Sequence, residues 1–161
     1  MGNEELVVIG VDPGLAATGF GVLLRSGSNV TCLDYGCVRT RQDEGLPARL
    51  DRIHSGIVEV ITRWTPSLLV LEDAFVKNSI PSAALSIGMV RGVLMLAAYQ
   101  HQCEVEDVPA RVVKLAITGS GAADKSQIER VLRRRLSIPS QIRPDHAADA
   151  LGLAYVGVTR R

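Results

Sequence analysis

Residues 6–21 read LVVIGVDPGLAATGFG, and this stretch decides the fold. The first six residues are mostly apolar and predict a buried strand that ends on Asp12, and Pro13 and Gly14 then turn the chain into a second strand near Thr18. An α/β sheet delivers an acid to its ligand-binding edge in this way. Asp is also favoured in turns, because its side chain bonds nearby backbone groups. This stretch alone therefore leaves two interpretations of Asp12 open, a functional acid or a turn residue.

The composition predicts one domain, residues 1–161. A chain of this length with 47% hydrophobic residues can bury one core of usual size, and it shows no repeat and no linker. The net charge is only +1, so any affinity for nucleic acid must come from where the basic residues lie.

Cysteine usage and hydropathy predict a cytoplasmic protein. Cys32, Cys37 and Cys103 are odd in number and lack metal-ligand spacing, which is typical of reduced thiols and predicts no disulfide. We expect no membrane contact, because the chain shows no signal segment and no apolar run of the roughly 20 residues that a bilayer requires.

Apolar spacing predicts four further elements in the first half of the chain: strands over 18–25 and 30–39, a helix over 46–64 and a strand over 67–74. The short turns between the first three strands predict an antiparallel meander. The last strand ends on Glu72 and Asp73. Because strand, helix and strand in this order form a crossover that joins parallel strands, we expect Glu72 and Asp12 at the same edge of the sheet.

The second half is predicted to be mainly helical. The predicted elements are a helix over 82–100, a strand over 104–108, a helix opened by Pro109, a helix over 124–136 and a final helix that begins near Pro144. The first of these helices contains small residues, among them Gly88 and Gly92, which permit close approach of another element. We interpret them as packing against the sheet, with a dimer face as the alternative.

Three acids come from three separate elements. Asp12 and Glu72 end strands, and Asp149 lies early in the last helix among apolar residues, where a solvated acid is less expected. His146 shares the helix face of Asp149, three residues earlier. Carboxylates gathered at one place repel one another unless a cation neutralises them, and oxygen ligands suit Mg²⁺ or Mn²⁺. The sequence therefore predicts a metal site.

The order of these motifs resembles the RuvC-type Holliday junction resolvases, which are crossover junction endodeoxyribonucleases of the ribonuclease H-like superfamily. The resemblance covers essentially the whole chain. Its motifs are, in chain order, Ile9 to Gly14 with Thr18 and Gly19; Leu71 and Glu72 with Phe75; Gly88 with Arg91 and Gly92; Arg111 with Val113 and Lys114; Asp124 to Gln127; and Ala147 to Leu151.

The resemblance implies a fold, an activity and partners. The fold is a mixed five-stranded sheet flanked by helices, with a three-stranded antiparallel meander and further parallel strands. The activity is paired symmetric nicking of four-way DNA junctions by a homodimer, through phosphodiester hydrolysis with two Mg²⁺ or Mn²⁺ ions roughly 4 Å apart. A branch-migration helicase complex of the same pathway is the expected partner.

The resemblance also implies roles for single residues. Asp12, Glu72 and Asp149 are the catalytic acids and metal ligands, and Asp12 is the one expected to bridge the two ions. His146 stands at a fourth catalytic position where many members have Asp. It is either a softer ligand that favours Mn²⁺ or partly a base near the attacking water. Asp145 is interpreted as a helix N-terminal charge.

Lys125 is expected to neutralise charge on the scissile phosphate and counts among the catalytic residues. The DNA-binding residues implied are Phe75, Lys77, Arg111, Lys114 and Lys125. Phe75 is expected to stack on bases at the crossover. Three arginines of the 124–136 helix, Arg130, Arg133 and Arg134, are weaker candidates, because a charged helix face is usually just solvated.

Three other functions fit parts of the sequence. An acid, a glycine and a later threonine also form the phosphate loop of actin-like ATPases and sugar kinases, but 161 residues leave no room for their second domain. A ribonuclease H-like nuclease that acts on RNA is disfavoured by Phe75 and Lys125. A junction-binding protein without metals is disfavoured by the three retained acids.

Overall fold

A computed structural model describes residues 4–73 and 81–161. Its strands are β1 (Glu5–Asp12), β2 (Ala17–Ser26), β3 (Asn29–Arg39), β4 (Leu68–Glu72) and β5 (Glu104–Val108). They form one sheet in the order β3-β2-β1-β4-β5. β1, β2 and β3 pair as an antiparallel meander, β4 runs parallel to β1, and β5 runs parallel to β4. The predicted mixed five-stranded sheet is confirmed.

The helices are α1 (Leu46–Trp64), α2 (Pro81–Gln100), α3 (Ala110–Thr118), α4 (Lys125–Arg135) and α5 (Asp145–Arg160). Proline precedes two of them directly, because Pro109 is the N-cap of α3 and Pro144 that of α5. Each helix lies within a few residues of its predicted position.

Alternation along the strands divides the core into two layers. Val8 of β1 packs with α3, α4 and α5 on one face of the sheet, whereas Ile9 and Val11 pack with α1 and α2 on the other. Since successive side chains of a strand point to opposite faces, Asp12 lies on the same face as Val8. The same alternation along β4 puts Glu72 on that face. Both acids therefore point toward the side of the sheet that α5 covers.

The backbone of α5 lies directly on the sheet at two glycines. A Cβ atom added at Gly10 would come within 2.0 Å of the Ala150 carbonyl oxygen and 2.4 Å of the Ala154 nitrogen. A Cβ atom at Gly19 would come within 2.1 Å of the His146 carbonyl oxygen. Only glycine permits this approach, since every other residue carries that atom.

Helix α2 departs from two expectations. By length and composition it is apolar enough to cross a membrane, so the prediction that no apolar run reaches that length is wrong. One such helix is weak evidence of a membrane protein, and α2 packs against α1 and β5. Gly88 and Gly92 face open space: within residues 4–73 and 81–161, a Cβ added at either glycine meets no atom within 4 Å apart from the adjoining backbone of its own helix. The interpretation that these glycines pack against the sheet is therefore wrong.

The three cysteines are free thiols, as predicted. Burial, with the nearby Asp34, raises the pKa of Cys32 to about 11, and burial, with the nearby Glu104, raises the pKa of Cys103 to about 12. Both thiols are therefore poor nucleophiles at neutral pH, because the thiolate is the reactive form.

The contact between α5 and Gly10 yields a stability prediction. Gly10→Ala forces a methyl group into the backbone of α5, so it should lower the free energy of unfolding by about 1 to 3 kcal/mol or more in urea denaturation. Gly45→Ala is the matched control, because its nearest neighbour would be Pro47 Cδ at 3.9 Å. The control should change stability by less than about 1 kcal/mol. Equal small effects of the two variants would contradict this account of the packing.

Candidate active site

Asp12 and His146 meet because of the glycine contact between α5 and β2. Asp12 pairs with Gly19 across the antiparallel β1 and β2 strands, and the first turn of α5 lies on Gly19. This places His146 Nδ1 2.7 Å from Asp12 Oδ2, within hydrogen-bond distance. The sequence predicted Asp12 and His146 at one site, and the structure brings the two side chains into direct contact.

A buried threonine closes the turn that follows Asp12. The Thr18 hydroxyl donates to the Gly14 carbonyl oxygen at 2.8 Å, and the Gly14 N–H donates to the same hydroxyl at 3.3 Å. Thr18 is completely buried. The two bonds fix the turn that follows Asp12, whose own side chain bonds His146.

Glu72 lies at the end of the neighbouring strand. The parallel register pairs Val11 with Leu71, so the next residues, Asp12 and Glu72, continue side by side. Neighbouring strands lie about 4.8 Å apart, and the two side chains point to the same face of the sheet. The expectation that both acids lie at one edge is confirmed.

Asp149 reaches the site one helical turn after His146. Its Oδ2 lies 2.8 Å from Lys125 Nζ, in an ion pair between α5 and the first residue of α4. A capping box positions that end of α4, because Asp124 Oδ1 accepts from the Gln127 N–H and Gln127 Oε1 accepts from the Asp124 N–H.

The carboxylates of the site disfavour one another's charge. Burial raises the pKa of Asp12, the His146 hydrogen bond lowers it and the nearby Asp149 raises it again. Burial likewise raises the pKa of Glu72, and the charges of Asp12 and Asp149 add to that rise. The Asp149 carboxylate raises the pKa of Lys125. Burial and the neighbouring acids thus both disfavour the charged forms of Asp12 and Glu72.

These residues suit a divalent cation. Over residues 4–73 and 81–161, no three His, Cys, Asp or Glu side chains are clustered tightly enough to enclose an ion. Asp12 bonds His146, and Asp149 bonds Lys125. The donor groups nevertheless suit such an ion. Three carboxylates and one imidazole lie at one edge of the sheet, and the pKa values of Asp12 and Glu72 are raised. Oxygen donors with uncompensated charge are what Mg²⁺ and Mn²⁺ bind.

The other predicted residues lie around this centre or outside the described part of the chain. Lys114 lies close enough for its charge to lower the pKa of Glu72. Arg111 is exposed on α3, with its side chain beside Gly121. Asp145 pairs with Arg143 at 2.7 Å and bonds none of the other predicted residues described here. Phe75 and Lys77 lie outside the described residues.

Sequence reasoning gave no role to Arg91, although a resemblance motif contains it. Arg91 is buried, and its guanidinium bonds the end of β4. The signal was available: Arg91 is the one charged residue of the 20-residue helix α2. A single charge in a helix that packs on a sheet is expected to be buried with partners.

Comparison with known proteins gives one consistent family. The family model described as "Crossover junction endodeoxyribonuclease RuvC" matches residues 8–157. Proteins of the same description are 41% identical over 148 residues in Sodalis glossinidius and 39% identical over 152 residues in Rubrobacter xylanophilus. These alignments cover 92% and 94% of this chain and 84% of each relative.

Solved structures agree with that family. A Thermus thermophilus RuvC structure in complex with Holliday junction substrate superposes with a TM-score of 0.90 at 30% identity, over 95% of this chain and 93% of that one. The yeast mitochondrial Holliday junction resolvase Ydc2 superposes with a TM-score of 0.66 at 12% identity, over 92% of this chain and 76% of that one, and supports the fold alone.

Proposed function

The chain belongs to the RuvC family of crossover junction endodeoxyribonucleases, and on that basis we propose that residues 1–161 form one nuclease domain that resolves four-way DNA junctions. The reaction is hydrolysis of phosphodiester bonds in two strands of like polarity, which leaves nicks that a ligase can seal. The observation that carries the proposal is the meeting of Asp12, Glu72, His146 and Asp149 at one sheet edge within this fold.

Nucleases of this family are metal-dependent, and the acids of the site are the proposed ligands. We propose that Asp12, Glu72, Asp149 and His146 hold two ions, Mg²⁺ or Mn²⁺. Such ions lower the pKa of an attacking water and stabilise the charge that develops on the leaving oxygen. Asp12 lies between Glu72 and His146, which supports its role as the shared ligand.

Lys125 is the proposed contact for the scissile phosphate. Its side chain is 77% exposed, and its ammonium lies 2.8 Å from Asp149. A cavity of about 220 Å³ opens beside both residues, with Arg143 in its lining. The lining also holds Glu129 and Asp145, and Asp145 pairs with Arg143, so the exposed ammonium of Lys125 is the group proposed to meet a phosphate oxygen.

Backbone phosphates of the junction are proposed to meet the basic residues of α3. Lys114 is supported by its effect on the pKa of Glu72, which places it near the acids. Arg111 lies on the same helix and is exposed. Base stacking by Phe75, DNA contact by Lys77 and a helicase partner stay predictions.

A homodimer is the proposed assembly, with α2 at its interface. The helix is apolar on all sides, which is typical of helices that are buried all round. Yet one face leaves Tyr99 82% and Leu96 50% exposed, with Gly88 and Gly92 open between apolar neighbours. A second copy of α2 would cover this face, and small residues permit its close approach. We propose that the protein acts in the cytoplasm, since the dimer would cover the exposed apolar face of α2.

The catalytic assignment is tested with Asp12→Asn. This variant removes a charged ligand but keeps the shape, so it should bind a synthetic four-way junction as the wild type does and cleave it at least about 100-fold more slowly. Asp51→Asn, an exposed acid on α1, is the control and should do both normally. Loss of junction binding by Asp12→Asn would make Asp12 structural. Equal cleavage of an RNA–DNA hybrid by the wild type would contradict the resolvase assignment.

The role of His146 is tested by its metal preference. If the imidazole is a ligand that favours Mn²⁺, His146→Asp should lower the ratio of cleavage rates in Mn²⁺ and Mg²⁺ by about tenfold. His54→Asp on α1 is the control and should leave the ratio unchanged. An unchanged ratio in His146→Asp would exclude the imidazole as a ligand that favours Mn²⁺. The remaining role for His146 would be that of a base near the attacking water.

The dimer is tested by sedimentation velocity without detergent. Wild-type protein should sediment as a dimer. Leu96→Glu should sediment as a monomer, because dimerisation would bury an unpaired carboxylate in the interface. Leu115→Glu on α3 is the matched control, since Leu115 is 44% exposed and lies outside α2. A dimeric Leu96→Glu would exclude this face, and a wild type that needs detergent to stay in solution would contradict the cytoplasmic assignment.

A further inference from the structure

Arg91 joins α2 to the ends of two strands. It is 8% exposed. Its Nη1 donates to the Glu72 carbonyl oxygen at 2.7 Å, and its Nη2 donates to Asp107 Oδ1 at 2.6 Å. Glu72 is the last residue of β4, and Asp107 is the last but one of β5. One planar guanidinium therefore clamps the carboxyl ends of both strands.

The clamp acts on the backbone carbonyl of Glu72 and not on its carboxylate. Glu72 points to the face of the sheet that α5 covers, whereas Arg91 approaches from the side of α2. Asp107 lies one residue before Val108, which packs on the α5 side, so the Asp107 side chain points toward α2. Arg91 thus holds Glu72 from behind, on the side away from Asp12 and His146.

The end of β4 is also held by β5, because Glu72 pairs with Val108. β4 has five residues, and Glu72 is its last. The following backbone bond, from the Asp73 N–H to the Val108 carbonyl oxygen at 2.9 Å, ties the chain to β5 just past the acid. Together with these contacts, the bond from Arg91 holds the stretch of backbone from which the Glu72 carboxylate projects.

We propose that Arg91 is a positioning residue for metal binding and cleavage, acting by fixing the backbone of Glu72 from α2. The proposal rests on the assignment of Glu72 as a metal ligand. Residues that orient metal ligands typically change metal affinity or activity by about 10- to 100-fold when they are replaced. Arg91 is buried and bonds the Glu72 carbonyl and Asp107, so its loss should leave junction binding intact.

The decisive comparison is between Arg91→Met and Asp107→Asn. Arg91→Met removes the bond to the Glu72 carbonyl, and Asp107→Asn removes the ion pair while Arg91 can still donate to that carbonyl. Arg91→Met should weaken Mn²⁺ binding, measured by calorimetry on the protein alone, by about 10-fold or more and lower kcat similarly. Asp107→Asn should change both by less than about threefold, and both variants should bind a junction in Ca²⁺ as the wild type does.

Thermal unfolding of every variant shows whether a loss of metal affinity or kcat merely follows a loss of stability. If metal affinity and kcat fall in both variants in proportion to their loss of stability, Arg91 is merely structural and the proposal is overturned. It is also overturned if Arg91→Met keeps both within threefold of wild type. If Arg91→Met does not fold, Arg91→Lys makes the same comparison, because one ammonium cannot hold both strand ends. Calorimetry needs no DNA, so it decides the role of Arg91 even if wild-type protein fails to cleave junctions.

Discussion

The close contact between the α5 backbone and two glycines of the sheet is the constraint on which the site depends. Gly10 and Gly19 bring the helix down onto β1 and β2 until the chains touch. The first turn of α5 then lies beside the end of β1, where His146 reaches Asp12. Asp149 follows one turn later. A larger residue at either glycine would move the helix and separate the groups that the chemistry needs.

Bringing these groups together has an electrostatic cost that the fold offsets only in part. His146 and Lys125 each bond one acid, yet the pKa values of Asp12 and Glu72 remain raised. The proposed divalent cation would bind the same carboxylate oxygens that now accept these hydrogen bonds. The groups whose charges disfavour one another are thus the groups that we propose as metal ligands.

The sheet, and the edge that Asp12 and Glu72 share, could be predicted from short stretches of sequence. Alternating apolar residues, turn residues and the strand–helix–strand order are each visible within such a stretch. They did not predict the clamp by Arg91 or the open face around Gly88, since both depend on what a helix meets after folding. Helix α2 is long and apolar enough to cross a membrane although it contains one charged residue, Arg91. In the fold this residue is buried and paired, which its sequence neighbours do not indicate. The motif order carried the family assignment, whereas local spacing alone left Asp12 ambiguous.

The central claim is that Asp12, Glu72 and Asp149 form one metal site. Anomalous diffraction from crystals soaked in Mn²⁺ tests it most directly. The account predicts manganese bound to oxygens of all three carboxylates, with the bond between Asp149 and Lys125 opened. Crystals without manganese at these residues, and with the Asp12–His146 and Asp149–Lys125 pairs intact, would contradict it.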